Sequence, residues 1–281
     1  MTRTAKNLRQ TETRAPMTTI CKLLGMSKSW YYDTLSAQAG RLEYEQMIIA
    51  HVRNIRREFP NYGTRPLWKQ LARNGVFIGR DKLSNILRKH NMLISQQKKR
   101  VKTSIASSYQ GEMNNLVKDM DITRINQVLY TDITYIISTQ GIIYLSAIMD
   151  AYSRKIVSYS INDNLRTDGS LDCLQKAIKK IGVPDGLIHH SDQGSQYTSH
   201  RYLKLLLDNN MLPSFTGVGR CYDNAFIERF FRTIKYEFGL NLIIKDKKTA
   251  IKLINSVIDS YNKRRLHSAL NYQTPDEVYY D

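Results

Sequence analysis

The stretch VLYTDITYIISTQGIIYLSAIMDAYSRKIVSYSIND, residues 128–163, decides the fold, because it holds three extended runs in close succession. The runs are rich in β-branched and aromatic residues, and we expect strands at 127–138, 141–151 and 154–163. Short turns at Gln140-Gly141 and Ser153-Arg154 join them, as in β-hairpins.

Helical and extended segments alternate after this stretch. The sequence predicts helices at 168–181, 199–210, 223–238 and 247–262, and strands at 186–191 and 212–217. Gly182, with Pro184 behind it, ends the first of these helices. The order predicts an α/β fold in which helices cover both faces of a mixed sheet.

The chain before residue 126 has helical periodicity instead. A miniature helix-turn-helix-like pattern spans 18–35, with a turn at Gly25 and with Ser27 as the cap of a second short helix. An amphipathic helix is predicted from Arg41 to Phe59.

A second pair of helices, 64–73 and 80–91, also has helix-turn-helix proportions. Its second member carries four bases that we expect to bind DNA: Arg80, Lys82, Arg88 and Lys89. A small three-helix bundle with a basic surface is the alternative, and the pattern alone leaves both open.

These patterns divide the chain into four parts. We expect a basic N-terminal segment with a short helix-turn-helix-like motif (1–40), a helix-turn-helix-like DNA-binding module (41–94), a linker (95–120) and a catalytic core with C-terminal helices (121–281).

Positive charge is concentrated in the first part of the chain. The formal net charge is +17; residues 1–120 hold 22 Lys and Arg against 8 Asp and Glu, whereas residues 121–281 hold 20 against 17. Such a one-sided excess is typical of a polyanion-binding module joined to a catalytic one. The alternative is a solvated basic surface that aids solubility.

Cysteine and hydropathy patterns exclude other classes of protein. Cys21, Cys173 and Cys221 form no CxxC motif, which speaks against a zinc knuckle or a disulfide scaffold and favours a reducing cytoplasm. The longest apolar stretch, 141–149, is too short to span a bilayer, and no apolar core follows the basic N-terminus. We therefore expect a cytoplasmic protein that does not enter a membrane.

Three carboxylates stand out because their surroundings are apolar. Asp132 lies within VLYTDITYI, Asp192 ends the run in LIHHSDQGSQY, and Glu228 belongs to the helical segment DNAFIERFFRTIKYE. Acidic side chains are rare in such runs unless a partner binds them, and clustered carboxylates suit Mg²⁺ or Mn²⁺. We expect all three to bind two ions and to act on a phosphodiester.

The helix with Glu228 is strongly amphipathic. Its apolar stripe comprises Ile227, Phe230, Phe231, Ile234 and Phe238. Arg232 and Lys235 flank Glu228 on the helix surface, so the same cleft would present one acid and two bases that hold phosphate. Asp223 is suited to cap this helix, which leaves Asn224 in the first turn near the cleft and the DNA.

Two further residues compete for roles near the acids. His190 lies two residues before Asp192, on the same strand face, and is either a hydrogen-bond partner behind the metal ligands or a simple packing residue. Asp150 is a possible fourth ligand, but pairing with Arg154 across the turn explains it better.

The motifs TDITYI, HSDQGSQY, NAFIERFFRTIKYE and YNKRRLHSALNYQTP occur in this order, with 35 residues between Asp192 and Glu228. Together they resemble the integrase-type catalytic core of bacterial insertion-sequence transposases, over residues 126–277. The chain is most similar to second-reading-frame products of the large family that shares its core with retroviral integrases. YGTRPL, LARNG and IGRDKLSNILRKHNML resemble that family's helix-turn-helix-like module, and CKLLGMSKSWYY resembles the usual start of such products.

The resemblance implies a ribonuclease-H-like fold with Asp132, Asp192 and Glu228 as metal-binding acids, and with Lys235 near the bound DNA end. It implies Mg²⁺-dependent cleavage of one strand at the element's end, followed by attack of the freed 3′-hydroxyl on another phosphodiester. The partners would be double-stranded DNA with terminal inverted repeats, a target duplex, other copies of the chain on the nucleoid, and a first-reading-frame protein.

Two other functions remain open. The chain has no long leucine heptad run before residue 41, so it could be a DNA-binding regulator that is inactive unless fused to its first-frame partner. A ribonuclease-H-type nuclease acting on hybrids is the third possibility, although that role needs no basic front module.

Overall fold

The computed structural model describes residues 16–94, 114–217 and 224–281. The first of these ranges contains only helices: α1 (Met17–Leu23), α2 (Lys28–Glu58), α3 (Thr64–Arg73) and α4 (Arg80–Lys89). The remainder contains β1 (Val128–Ser138), β2 (Gly141–Asp150), β3 (Ile156–Asn162), α5 (Thr167–Ile181), β4 (Ile188–Ser191), α6 (His200–Leu207), β5 (Leu212–Phe215), α7 (Ala225–Tyr236), α8 (Lys247–Lys263), a 3₁₀ turn (Ser268–Leu270) and α9 (Pro275–Tyr280).

The strands form one five-stranded sheet in the order β3-β2-β1-β4-β5. The hairpin-linked strands pair antiparallel, β1 with β2 and β2 with β3, whereas β1–β4 and β4–β5 are parallel. A mixed sheet flanked by helices and preceded by an all-helical region confirms the predicted fold class.

Alternate residues of β1 supply the two layers of the core, as the period of a strand requires. Leu129 packs in a cluster with residues of α5 and α6, such as Leu174 and Leu206. Its neighbour Tyr130 faces the other way, into the cluster with α7 and α8. The whole predicted apolar stripe of α7 is buried: Ile227, Phe230, Phe231, Ile234 and Phe238.

Helix α2 differs from the prediction, because it is one continuous helix of 31 residues instead of two helices that meet near residue 40. Ser27 caps it as expected, its hydroxyl oxygen accepting from the Trp30 N–H at 3.0 Å. Gly40 lies within the helix, where a single glycine costs only about 1 kcal/mol relative to alanine, too little to end it. The division of the chain at 40/41 stays a prediction.

Three other helices end earlier than predicted; α7 ends at Tyr236 instead of residue 238, and the other two end shortly before asparagines. Asn91 and Asn210 adopt left-handed backbone conformations, with φ angles of 56° at both. Asparagine tolerates this conformation well, and it stops a helix in the same way as a glycine does. Helices α4 and α6 therefore end at Lys89 and Leu207.

The helical region is packed against the core. The rings of Phe59 and Phe238 meet edge to face at 5.2 Å, and Asn61 donates its side-chain amide to the Tyr236 carbonyl at 2.7 Å. Arg264, which caps the C-terminus of α8, forms an ion pair with Glu58 at 2.8 Å. The C-terminal end of α2 and that of α7 therefore share one buried cluster.

Part of the predicted linker also packs on the core, although 95–113 lies outside the described residues. The Phe215 N–H donates to the Asn114 carbonyl at 3.2 Å, and the Leu116 N–H donates to Ser214 Oγ at 2.9 Å. Val117 and Met120 pack against the core cluster. Residues 114–120 of the predicted linker therefore contact the core, and the boundaries of the linker stay a prediction.

Within the described ranges, no helix is long and apolar enough to cross a membrane.

Candidate active site

Asp132 and Asp192 occupy matching places on neighbouring strands. β1 and β4 are parallel, and their last paired residues are Tyr130 and His190. Each aspartate lies two residues beyond that pair, Asp132 within the continuing β1 and Asp192 just after β4. The carboxyl ends of adjacent parallel strands are where sites gather in open α/β sheets.

The pKa of the Asp132 carboxyl is shifted by burial and by other charged groups. Burial raises the pKa of this carboxyl to about 7, and the neighbouring carboxylates of Asp192 and Glu228 contribute to the increase. The Ile133 N–H, which donates to Asp132 Oδ1 at 2.7 Å, and the ammonium of Lys235 act in the opposite direction. Like charges in partly dry surroundings favour the protonated form unless a cation neutralises them.

Asp192 is oriented by the turn that follows it. The Gly194 N–H donates to Asp192 Oδ1 at 3.0 Å, and a β-carbon built at position 194 would lie 2.9 Å from that oxygen. Only glycine leaves room for this approach. Although Asp192 remains accessible, partial burial of its carboxyl raises the pKa.

Helix α7 carries the third acid and the flanking bases. Glu228 is half-buried and Arg232 is exposed, as expected for residues at the edge of the buried stripe. The Lys235 ammonium lies over the ring of Tyr135 in β1, 4.4 Å from its centre. Burial lowers the pKa of Lys235, and the nearby Asp132 carboxylate opposes this shift.

Asn224 links α7 to the strand that carries Asp132. Its Nδ2 donates to the Thr131 carbonyl at 3.3 Å, and the residue is almost fully buried. Its Oδ1 is buried and has no hydrogen-bond partner among the residues that the structure describes. Asp223, predicted to cap this helix, lies outside those residues; Asn224 occupies the N-cap position, without a capping hydrogen bond from its side chain.

The donor atoms fit a magnesium-type ion in kind. Carboxylate and amide oxygens are its preferred protein ligands, and an orphaned buried oxygen is suited to a cation. In the described parts of the chain, however, no three His, Cys, Asp or Glu side chains are grouped closely enough to hold an ion. A metal role for Asp132, Asp192 and Glu228 stays a prediction.

His190 contacts Ser214 and Tyr130. His190 is buried, with Nδ1 2.9 Å from Ser214 Oγ and its ring edge to face with Tyr130. Its role behind the metal ligands stays a prediction.

The expected pairing of the Asp150 side chain with Arg154 is wrong, although the Arg154 N–H donates to the Asp150 backbone carbonyl at 3.0 Å across the turn. The Asp150 oxygens accept from the N–H of Asn126 at 2.7 Å and from the hydroxyl of Ser153 at 2.6 Å. Arg154 instead lies over the Phe226 ring, 3.5 Å from its centre. A structural role for Asp150 is what its burial indicates.

The four bases of α4 are all exposed, and each has a local partner. Arg80 pairs with Asp81 at 2.8 Å and Lys89 pairs with Glu45 at 2.6 Å. Lys82 lies over the ring of Tyr44, and Arg88 donates to Asn85 at 2.8 Å. These contacts are solvent-accessible, so they leave the side chains available to a stronger anionic partner.

Two residues that shape the site received no functional role from the sequence, although the turn at Gly194 beside Asp192 was expected. Gly194 seats the Asp192 carboxylate, and Tyr135 lies beneath Lys235. A glycine two residues after an acid at a strand end is a usable signal of such a turn. No sequence signal indicates the contact between Tyr135 and Lys235, because these residues are 100 positions apart in the chain.

Sequence comparison identifies relatives of the whole chain. The family described as Integrase core domain matches residues 122–221, and a second family with the same description matches residues 209–275. An insertion element IS600 uncharacterized 31 kDa protein of Shigella sonnei is 34% identical over 266 residues, covering 91% of this chain and 96% of that protein. A transposase for insertion sequence element IS904 of Lactococcus lactis is 30% identical, covering 77% and 86%.

The solved structures that match part of the chain include retroviral integrases. The HTLV-2 integrase catalytic core in complex with magnesium is 16% identical, covers 56% of this chain and 97% of that one, and gives a TM-score of 0.44. A simian T-cell lymphotropic virus intasome chain is 15% identical, covers 76% and 70%, and gives 0.48. The long match to the insertion-element proteins decides the assignment: this chain belongs to the family of insertion-sequence transposases with an integrase catalytic core.

Proposed function

We propose that this protein cleaves one DNA strand at each end of an insertion sequence and then joins the freed 3′ end to a target duplex. Membership of the transposase family supports action in DNA transposition and integration in general. The matched placement of Asp132 and Asp192 on adjacent parallel strands is the observation that carries this finer proposal, and the influence of the Glu228 and Lys235 charges on the pKa of Asp132 supports it.

The carboxylates of Asp132, Asp192 and Glu228 would hold Mg²⁺, or Mn²⁺, as two ions. Two such ions supply stabilisation of charge on the attacking and leaving oxygens of an in-line displacement. Gly194 holds the Asp192 carboxylate in place, while Asn224 fastens the start of α7 to β1.

The bases divide into two groups in this proposal. Lys235 and Arg232 hold phosphates of the cleaved DNA strand beside the acids. Asn224 lies next to the same DNA strand. The exposed bases of α4 bind the flanking duplex through its backbone: Arg80, Lys82, Arg88 and Lys89. Water attacks in the cleavage step and leaves a 3′-hydroxyl and a 5′-phosphate; that 3′-hydroxyl then attacks a target phosphodiester and displaces a target 3′-oxygen, so no protein side chain forms a covalent bond to the substrate.

The protein would act on the terminal inverted repeats as an assembly of several copies, in the cytoplasm and on the nucleoid. A first-reading-frame protein would supply additional recognition of the ends. The regulator alternative predicts that this chain binds DNA but joins nothing without that partner.

A strand-transfer assay with pre-cut end DNA and Mg²⁺ tests the proposal. Wild type should give joined product, Asp132→Asn should give none, and Asp168→Asn, at an exposed acid of α5, should resemble wild type. Binding without joining by the wild type would favour the regulator, and hydrolysis of RNA–DNA hybrids would favour the nuclease. Either outcome would contradict the transposase mechanism for this chain alone.

A further inference from the structure

Apart from the candidate active site, a basic cavity lies beside α7, the helix that carries Glu228. It has a volume of about 280 Å³ and is lined by residues from α3, the β2–β3 turn, α7 and the segment after α8. Four arginines line it: Arg65, Arg154, Arg229 and Arg265. Glu228 and Arg229 are consecutive, so about 100° of helix rotation separates the acid from the cavity.

The only carboxylate that lines this cavity, among the described residues, is already committed. Glu237 accepts two hydrogen bonds from Arg265, at 2.8 and 2.9 Å. In the described ranges, Arg65, Arg154 and Arg229 form no ion pair with any carboxylate. Among the described residues, the cavity therefore has more positive charges than negative ones.

Polar atoms in the cavity wall lack partners. Nη1 of Arg154 and Nε2 of His267 are buried and have no hydrogen-bond partner among the residues described. Arg154 is held in place by Phe226 below it and by a left-handed backbone with φ of 64°. Burial lowers the pKa of His267 to about 2, and the nearby arginines, Arg265 first, add to this shift.

Unbalanced guanidinium groups with unused donors are the recognition chemistry of phosphate. The planar fork of arginine donates two parallel hydrogen bonds to phosphate oxygens, and such charge-assisted bonds are stronger than neutral ones. Arg65 and Arg229 are exposed to solvent, whereas Arg154 is half-buried, so an anion in the cavity would offset the hydration that Arg154 loses.

We infer that this cavity is a phosphate-binding site formed by Arg65, Arg154 and Arg229, and that it takes a backbone phosphate of bound DNA. The phosphate chemistry stands on the cavity alone, whereas DNA as its source rests on the proposed function. Because α3 and α7 both line it, a phosphate there would join the helical region to the helix that carries Glu228.

Inorganic phosphate is the first probe, used with the full chain in a chloride buffer with EDTA. Thermal unfolding is followed during titration for wild type, Arg229→Gln and Lys252→Gln, the last being an exposed base of α8 that does not line the cavity. Wild type and Lys252→Gln should show a saturable increase in Tm, and Arg229→Gln should require at least about fivefold more phosphate. An equal response of all three proteins, or no saturable response of wild type, would overturn the site.

The salt dependence of DNA binding is the second measurement. Loss of one phosphate contact should reduce the slope of log K against log salt by about one for Arg229→Gln and by clearly less for Lys252→Gln. A phosphate effect without this change in slope would refute DNA as the source and leave a free phosphate compound as the ligand. Asp132→Asn should keep the phosphate response, so a failure of the catalytic proposal is told apart from a failure of this site.

Discussion

Gly194 donates its backbone N–H to Oδ1 of Asp192, and a β-carbon at position 194 would meet that same oxygen at 2.9 Å. Gly194→Ala therefore forces the carboxylate or the turn to shift. A displacement of this kind near reacting groups costs up to about 100-fold in rate. We expect strand cleavage to fall by about 10- to 100-fold while the Tm changes by only a few degrees.

Gly40→Ala is the matched control, because position 40 lies within α2 and has open space around it. That change should leave cleavage as it is and stabilise the helix by about 0.5–1 kcal/mol. Unchanged cleavage in Gly194→Ala would show that the orientation of Asp192 does not matter.

Glu228→Gln should abolish cleavage while DNA affinity is kept or increased. The change removes one negative charge from a surface that approaches a polyanion, and it conserves the volume of the side chain. Cleavage is measured on end DNA with Mg²⁺, and affinity is measured by anisotropy without the metal. Glu43→Gln, at an exposed position of α2, is the control for loss of charge; retained cleavage in Glu228→Gln would remove this residue from the catalytic set.

Because His189 is buried, we expect the folded protein to lose stability in acid. Nε2 of this side chain is 3.1 Å from the Tyr202 hydroxyl, and burial lowers the pKa of His189 to about 3. Between its unfolded and folded pKa values the unfolded chain binds the extra proton, so stability decreases as the pH falls below about 6.5. For one such group the loss between pH 7 and pH 5 is about 2 kcal/mol.

His189→Gln removes this titration and can still meet the Tyr202 hydroxyl. Urea unfolding at both pH values should show a smaller acid loss in the variant than in wild type, by about 2 kcal/mol. An identical decrease in the two proteins would mean that other groups cause it.

The side chain of Asn262 forms hydrogen bonds with the backbone of the edge strand β3, as a further strand would do. Its Oδ1 accepts from the Ile156 N–H at 2.9 Å and its Nδ2 donates to the Ile156 carbonyl at 3.0 Å, at a buried place on the edge of the sheet. Asn262→Ala leaves two buried backbone groups unpaired, so we expect a loss of about 2–4 kcal/mol in the free energy of unfolding. Asn255→Ala, at an exposed position of the same helix where the amide meets Tyr159, should lose less than about 1 kcal/mol.

DNA affinity should fall steeply with salt if the helical region grips the phosphate backbone. Replacing both Lys82 and Arg88 with Gln should reduce the slope of log K against log salt by about two. Anisotropy titrations of wild type and the double variant between low and moderate salt provide the comparison. A flat wild-type response would assign the positive charge of the first 120 residues to solubility.

Local sequence patterns predicted most helices and strands, because the spacing of the apolar residues matches the faces that are buried in the fold. The stripe from Ile227 to Phe238 is buried as its helical spacing predicts, and the three hairpin-linked strands pair in chain order. The strand-end position of Asp192 was likewise readable from the apolar run before it.

Contacts between distant segments could not be read in this way. The Asn61–Tyr236 hydrogen bond joins residues 175 positions apart, and nothing in either segment marks the other. The cavity arginines come from four separate elements, so their convergence appears only in three dimensions. The continuous α2 was not predicted, because the side chains of 36–43 are all exposed and no buried apolar stripe links its two halves.

The length of helix α2 sets the distance between α1 and the residues that pack at the other end of α2. Its buried residues lie near its two ends, at Tyr31 and from Ile48 to Ile55, and the side chains of 32–47 are not buried. A helix of 31 residues is about 46 Å long, more than one turn of a DNA duplex. It acts as a spacer, and each residue inserted into its middle would turn α1 by about 100° while moving it only about 1.5 Å. Rotational phase, much more than reach, is therefore what changes of length in this rod would alter.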